Sequence, residues 1–246
     1  PANIVSGLAG FAAIFGFTRL LSPEALGWYA LAVAAANLLH TVCFTWNEAA
    51  MARFEQAART PRERANHQAT VYGVLALGWL AFPVAGLALA FWPVGEGLKA
   101  AMAAGIGSVM ARSLLQMAQV RLRAVGDVKR AAGLDFVNTL AGLAFGLGFA
   151  WIGLQGAAPL AGAAAAAAAC AAWAMPRELK RLKGGRFEPD RALRYARYGV
   201  PLSLSLVLTL ALGSVDRALL AHFLDSAAVG VYHSGYSLSN RTLDVI

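Results

Sequence analysis

Charge is scarce in this 246-residue chain: Asp, Glu, Lys and Arg make up only 14% of it, and just 13 residues are acidic. Soluble domains carry about 25% charged and roughly 45–50% apolar residues, whereas 59% of this chain is hydrophobic. Cysteine is scarcer still. Its two copies, Cys43 and Cys170, each sit inside an apolar run, which excludes a disulfide framework and reads as small core residues. Metal-ligand spacing, a nucleotide-binding loop and a nucleophile with its base are all lacking, and GLAG and GIGS read as small-residue packing. No metal and no cofactor are therefore expected. No signal-peptide pattern precedes the first apolar run. Position 1 is Pro rather than Met, and the last residues stop inside another apolar helix, so the chain is expected to be a fragment.

What is present is a series of apolar runs near twenty residues long, enough for a helix to cross a hydrocarbon core of about 30 Å. The expected fold class is all-α, a polytopic membrane protein. Eight helices are expected, at 2–21, 25–52, 68–92, 97–120, 132–153, 157–175, 199–220 and 227–246. The sixth contains the alanine run 163–169 and suits close helix packing better than lipid contact. Sixteen of the 21 Lys and Arg residues fall in three connections, 53–67, 121–130 and 177–197. By the excess of basic residues in cytoplasmic loops, these three face the cytoplasm, and so does the N-terminus. The +8 net charge is then a topology signal beside anionic lipid rather than a nucleic-acid surface. The opposite loops are too short to hold a folded catalytic domain, which needs on the order of 50 residues. No enzyme activity is expected.

Two hinges resemble one another. RLLSPEALGWYA at 19–30 and HFLDSAAVGVYH at 222–233 align when 203 is added to the first. Ser22 then meets Asp225, both good N-caps; Gly27 meets Gly230, both suited to close helix approach; Tyr29 meets Tyr232, and Asn37 meets Asn240. Six spans separate the copies. An even number returns the chain to the same side, so the two units share an orientation and are related by an axis along the membrane normal. The expected domains are a six-helix N-terminal lobe at 1–176, a basic cytoplasmic linker at 177–197, and the first two helices of a second, pseudo-symmetric lobe at 198–246.

A charged side chain at mid-bilayer costs roughly 2.5–3.5 kcal/mol on insertion scales, so those retained usually face a cavity or a partner. Span four carries Ser108, Arg112, Gln116, Gln119 and Arg123 at steps of 4, 4, 3 and 4, one face of a helix. Arg112 is set about two-thirds of the way toward the basic end, with carbonyls or Asp135 as the bland alternative partners. Span two adds Asn37, His40, Thr41, Asn47 and Glu48 on one side. Span five adds Asp135, Asn138 and Thr139, and span eight His233, Tyr236, Asn240 and Asp244. The candidate cavity residues are Arg19, Asn37, His40, Arg112, Gln116, Gln119 and Asn240. Candidates for ion or proton coupling are Glu48, Asp135, His233 and Asp244. Packing is the competing role for the histidines, and a mutual pair for Asp216 and Arg217. Fixed arginines in a cavity suit a phosphate-bearing anion, which guanidinium binds bidentately.

Three stretches carry a family resemblance. RLLSPEALGWYALAVAAANLL with the following NEAAMARF resembles the first two spans of bacterial polysaccharide-biosynthesis flippases. RLRAVGDVKRAAGLDFVN is similar to their turn between spans four and five. RYGVPLSLSLVLTLALGSVDRALLAHFLDSAAVGVYHSGYSLSNR is similar to the opening of their second lobe. The chain thus resembles the O-antigen and exopolysaccharide flippases of the multidrug/oligosaccharidyl-lipid/polysaccharide exporter superfamily. That resemblance implies two six-helix lobes around a central cavity in the bacterial inner membrane. It also implies passage of undecaprenyl-diphosphate-linked oligosaccharide to the outer leaflet by alternating access, driven by an ion gradient. The implied partners are the lipid-linked oligosaccharide, membrane lipids and a polysaccharide polymerase or co-polymerase, with no nucleic acid. A multidrug exporter of the same superfamily and a non-transporting scaffold of a synthesis complex stand as alternatives.

Overall fold

The computed structural model describes the backbone of residues 2–245 and the side chains of residues 9–237. Eight helices follow one another: α1 (Ala2–Leu20), α2 (Pro23–Phe54), α3 (Pro61–Phe91), α4 (Glu96–Ala124), α5 (Val128–Trp151), α6 (Gln155–Arg181), α7 (Pro189–Phe223) and α8 (Ser226–Val245). Among the described residues, α2 through α7 are each long and apolar enough to cross a membrane. The chain is an all-α polytopic membrane protein. Asn240 and Asp244 lie on α8 beyond the described side chains.

Local chemistry sets the helix starts. Ser22 accepts from the Ala25 amide at 3.2 Å, and Pro23 occupies the first turn, where its missing N–H is harmless. Thr60 and Glu63 form a reciprocal capping box ahead of α3, again with a first-turn proline. Asp225 accepts from the Ala228 amide at 2.7 Å to start α8. The helices run past the apolar runs expected from the sequence mainly at the basic end. There the polar turns 61–67, 121–124 and 189–198 continue the helix beyond the apolar span. As a result only residues 182–188 of the basic connection 177–197 are non-helical. Residues Thr41–Thr45 of α2 form a π-helical segment. Such segments widen a helix locally and are frequent at functional sites.

The helices pack as a closed sequence of neighbours: α1 on α5, α5 on α6, α6 on α4, α4 on α2, α2 on α8, and α8 back on α1. The helix α7 runs along α2 and touches α3. In lipid, association rests on van der Waals fit and interhelical hydrogen bonds rather than on expulsion of water. Accordingly α6, the alanine-rich helix, is half buried and the most enclosed of the six spans. A Cβ on its Gly162 would stand 2.3 Å from the Gly146 amide of α5, so this crossing is backbone on backbone. A second core gathers Phe44, Met51, Val71 and Met117 of α2, α3 and α4, all fully enclosed. Trp79 ties α3 to α4 by donating to Ser113 at 3.1 Å.

The two hinges meet face to face. A Cβ on Gly27 would lie 1.8 Å from the Ser226 carbonyl oxygen, and one on Gly230 would lie 2.0 Å from that of Pro23. Under the offset of 203, Gly27 corresponds to Gly230 and Pro23 to Ser226, so each contact is the image of the other. Reciprocity of this kind marks a contact across a local two-fold axis.

Candidate functional site

Helix α4 carries the polar face. Arg112 lies 16 residues from its start and 12 from its end, about 24 and 18 Å along the axis. Because α4 extends beyond its apolar run to Ala124, Arg112 stands nearer mid-helix than the sequence suggests. Its Nε donates to Gln116 Oε1 at 3.1 Å and its Nη1 to Asn37 Oδ1 at 3.3 Å. Gln116 in turn donates to Glu48 Oε2 at 3.2 Å, and the other carboxylate oxygen lies 3.0 Å from His40 Nε2. Five of the candidate residues thus join in one chain, Asn37–Arg112–Gln116–Glu48–His40, bridging α2 and α4. His40 and Glu48 are buried, whereas Arg112 is exposed. The π-helical segment lies between His40 and Glu48, so the pair spans the widened turn. A guanidinium has five N–H donors, and this chain engages two of them.

A second group continues along the same face toward the basic end. Gln119 donates to Asp135 Oδ1 at 2.9 Å, and Arg123 pairs with the other oxygen of Asp135. Asp135 of α5 is therefore bound to Arg123, nearer its own level, and the partners of Arg112 are the two amides. Arg19 is exposed in the last turn of α1 and joins neither group. Asn47, expected on the same side as Glu48, is fully buried and donates to the Val71 carbonyl of α3 at 2.9 Å. One residue along a helix is a turn of about 100°, which carries it away from α4.

His233 belongs to a different place. It lines a cavity of about 420 Å³ in the hinge half with Phe17, Thr18, Tyr29, Arg217 and Tyr236. Its ring meets that of Tyr29 edge-on at 5.7 Å. Asp216 does not bind the Arg217 guanidinium: it accepts from the Arg217 amide at 2.8 Å and from the Tyr232 hydroxyl. The freed guanidinium lies 5.2 Å over the Tyr236 ring, and its buried Nε has no hydrogen-bond partner among the described residues. This is a cation of the cavity wall, a residue for which the sequence left a mutual pair and a substrate contact equally open.

Sequence reasoning also missed a buried network at the basic end. Arg121 and Glu178 pair bidentately, with both side chains almost fully enclosed and the second bond at 2.6 Å. Glu55 accepts from Gln68 at 2.8 Å and lies 3.5 Å from His67 Nε2, while His67 Nδ1 bonds the Tyr195 hydroxyl. Burial pushes the Glu55 carboxyl above the usual carboxylate range, partly offset by the Gln68 hydrogen bond and the Arg121 charge. Residues 185–188 are strapped to α3: the Arg186 amide donates to Asn66 at 3.0 Å and the Glu188 amide to Thr70 at 3.1 Å. The available signal was helical phase. Arg121 is nine residues from Arg112, two and a half turns, and so points to the opposite side of α4.

The fold resembles that of part of the MATE transporters. It superposes on the MATE multidrug transporter DinF-BH, solved as a complex, with TM-score 0.73 and 13% identity. A second multidrug resistance MATE family transporter of the MOP superfamily, in an inward-facing conformation, matches with TM-score 0.53 and 17% identity. These alignments take in 99% and 96% of the chain but only 60% and 55% of those two proteins. Comparison with curated protein sequences gives no significant match. The family itself is set by residues 17–246, which match the model described as polysaccharide biosynthesis protein. The chain belongs to that family.

Proposed function

We propose that the protein carries an undecaprenyl-diphosphate-linked oligosaccharide from the inner to the outer leaflet of the bacterial cytoplasmic membrane. The observation that carries this reading is Arg112: a mid-helix guanidinium, exposed, held by two amides, with donors left for a ligand. Neutral amides orient the arginine without cancelling its charge, as a site for a diphosphate requires. Glu48 and His40 buttress Gln116 from behind and are the groups through which a proton could couple to the cycle. In this reading the N-terminus and the arginine-rich loops are cytoplasmic, α1–α6 form one lobe, and α7 and α8 begin its pseudo-symmetric partner. The sugar passes along the polar faces while the polyprenyl tail stays in lipid. The family membership supports polysaccharide as the cargo.

In the complete protein, Arg112→Ala should abolish export of the polysaccharide and leave lipid-linked oligosaccharide in the inner leaflet at an unchanged protein level. Export at the wild-type rate from that variant would overturn the reading. A multidrug exporter is the second reading, favoured by the fold of the two superposed transporters. Drug resistance conferred by the complete protein, with polysaccharide export intact in its absence, would establish it.

A further inference from the structure

Away from the polar faces, α5 and α6 flank an open groove of about 510 Å³. Its walls are almost entirely apolar. Leu134, Val137, Ala141 and Phe145 of α5 face Ala169 and Trp173 of α6. The space is open at its Arg130 end, where a Cβ on Gly133 would meet nothing within 4 Å. From Gly133 to Phe145 the groove runs twelve residues, about 18 Å. That is close to the depth of one leaflet, half of a core of about 30 Å.

Charge appears at one end only. Arg130 lines the mouth at the basic end, exposed, with an i,i+3 contact of 3.3 Å to Asp127 as its only ion pair among the described residues. Arg177 lies 4.5 Å over the ring of Trp173, which forms the groove wall at the same end. An amphipathic aromatic and two arginines at the mouth, with an apolar trough behind, match a phosphate attached to a hydrocarbon chain.

We propose that the α5–α6 groove is a binding site for an anionic phospholipid, with one acyl chain in the trough and the phosphate at Arg130 and Arg177. The site is independent of the transport reading and lies outside the polar chain of α2 and α4.

The test is native mass spectrometry of the complete, detergent-purified protein, with phosphatidylglycerol and phosphatidylethanolamine added in equal amounts. Wild type should retain phosphatidylglycerol preferentially, by about fivefold for each arginine engaged. Arg130→Gln with Arg177→Gln should bring phosphatidylglycerol down to the phosphatidylethanolamine level. Gly133→Leu fills the trough from α5 and Ala169→Leu from α6, and each should remove the retained lipid while the protein stays monodisperse. Two walls are used so that a folding defect in one variant does not decide the result. Equal retention of the two lipids by wild type, or undiminished phosphatidylglycerol in both trough variants, would overturn the proposal. So would displacement of the lipid by inorganic phosphate, which would make the mouth an anion site without a chain. Displacement by a polyprenyl phosphate at equal concentration would assign the trough to a carrier lipid instead and equally overturn it.

Discussion

At its hinge end α2 meets α8 in close backbone contact, glycine against carbonyl in both directions, with the Tyr29 ring edge-on to His233 beside it. Toward its basic end the same helix also has one such contact, a Cβ on Gly199 of α7 falling 2.2 Å from the Trp46 carbonyl oxygen, but adds buried polar and aromatic pairs: Glu55 with Gln68 and His67, Asn47 with the Val71 carbonyl, Phe54 stacked on Tyr195 at 5.0 Å. The two modes respond differently to separation. A glycine contact leaves no polar group stranded when it opens, so its cost is lost packing. A buried charge or hydrogen bond that opens without a substitute partner leaves desolvated groups unpaired. The hinge end is thus the easier of the two to part. In the transport reading this makes it a gate, with the basic end as the firmer floor.

The comparison can be broken most severely at the basic end. Arg121→Ala strands the Glu178 carboxylate in a site where both side chains are almost fully enclosed. Loss of one partner of a buried ion pair typically costs about 3–5 kcal/mol. The complete protein should show a large fall in unfolding temperature in detergent. Arg121→Met combined with Glu178→Leu removes both charges and should recover most of that loss. If the single variant melts like wild type, the basic end is not held by its ion pair.

At the hinge end the expected effect is smaller and has a symmetry. A Cβ on Gly27 or on Gly230 would collide with a backbone carbonyl, which cannot rotate aside as a side chain can. Overpacking of this kind costs about 1–3 kcal/mol. Gly27→Ala and Gly230→Ala should destabilise by similar amounts, and the double variant by less than their sum, because both act on one α2–α8 separation. Additive effects would separate the two contacts and end the two-fold reading. One step lower stand the matching caps. Ser22→Ala and Asp225→Ala should each cost about 1 kcal/mol, measurable as paired small shifts in unfolding temperature.

Much of this arrangement is readable from residue spacing. Of the residues at steps of 4, 4, 3 and 4 from Ser108, Arg112 and Gln116 meet Asn37 and Glu48 of α2, and Gln119 and Arg123 meet Asp135 of α5. The cap chemistry of the hinges is readable too, because an N-cap acts within three residues. What spacing does not supply is pairing between helices. Which arginine takes Asp135 depends on how far α4 is shifted along α5, and that shift is set by backbone packing rather than by either sequence segment alone. Arg121 reads as a loop charge because polar residues at a membrane edge look alike whether they face water or a neighbouring helix. The π-helical turn at 41–45 carries no Pro or Gly to announce it, and His233 separates from His40 only once α8 is seated on α2.

Glu55 supplies the smallest effect and the sharpest sign. Its folded carboxyl titrates above the ordinary carboxylate range because burial disfavours the charged form. The folded protein therefore holds this proton at pH values where the unfolded chain has released it. By linkage, the contribution is fully present below the unfolded value and is lost as pH rises through the raised folded value. Glu55→Gln keeps the shape and an acceptor for Gln68 but cannot ionise. Relative to that variant, wild type should lose stability as pH climbs from the usual carboxylate range toward neutrality, and the two should converge in acid. Parallel unfolding-temperature profiles across that range would mean that Glu55 is solvated in the folded protein. Arg121 and Glu178 would then be the buried ionic contact that distinguishes the basic end from the hinge among the described residues, beside the Asn47 hydrogen bond and the Phe54–Tyr195 stack.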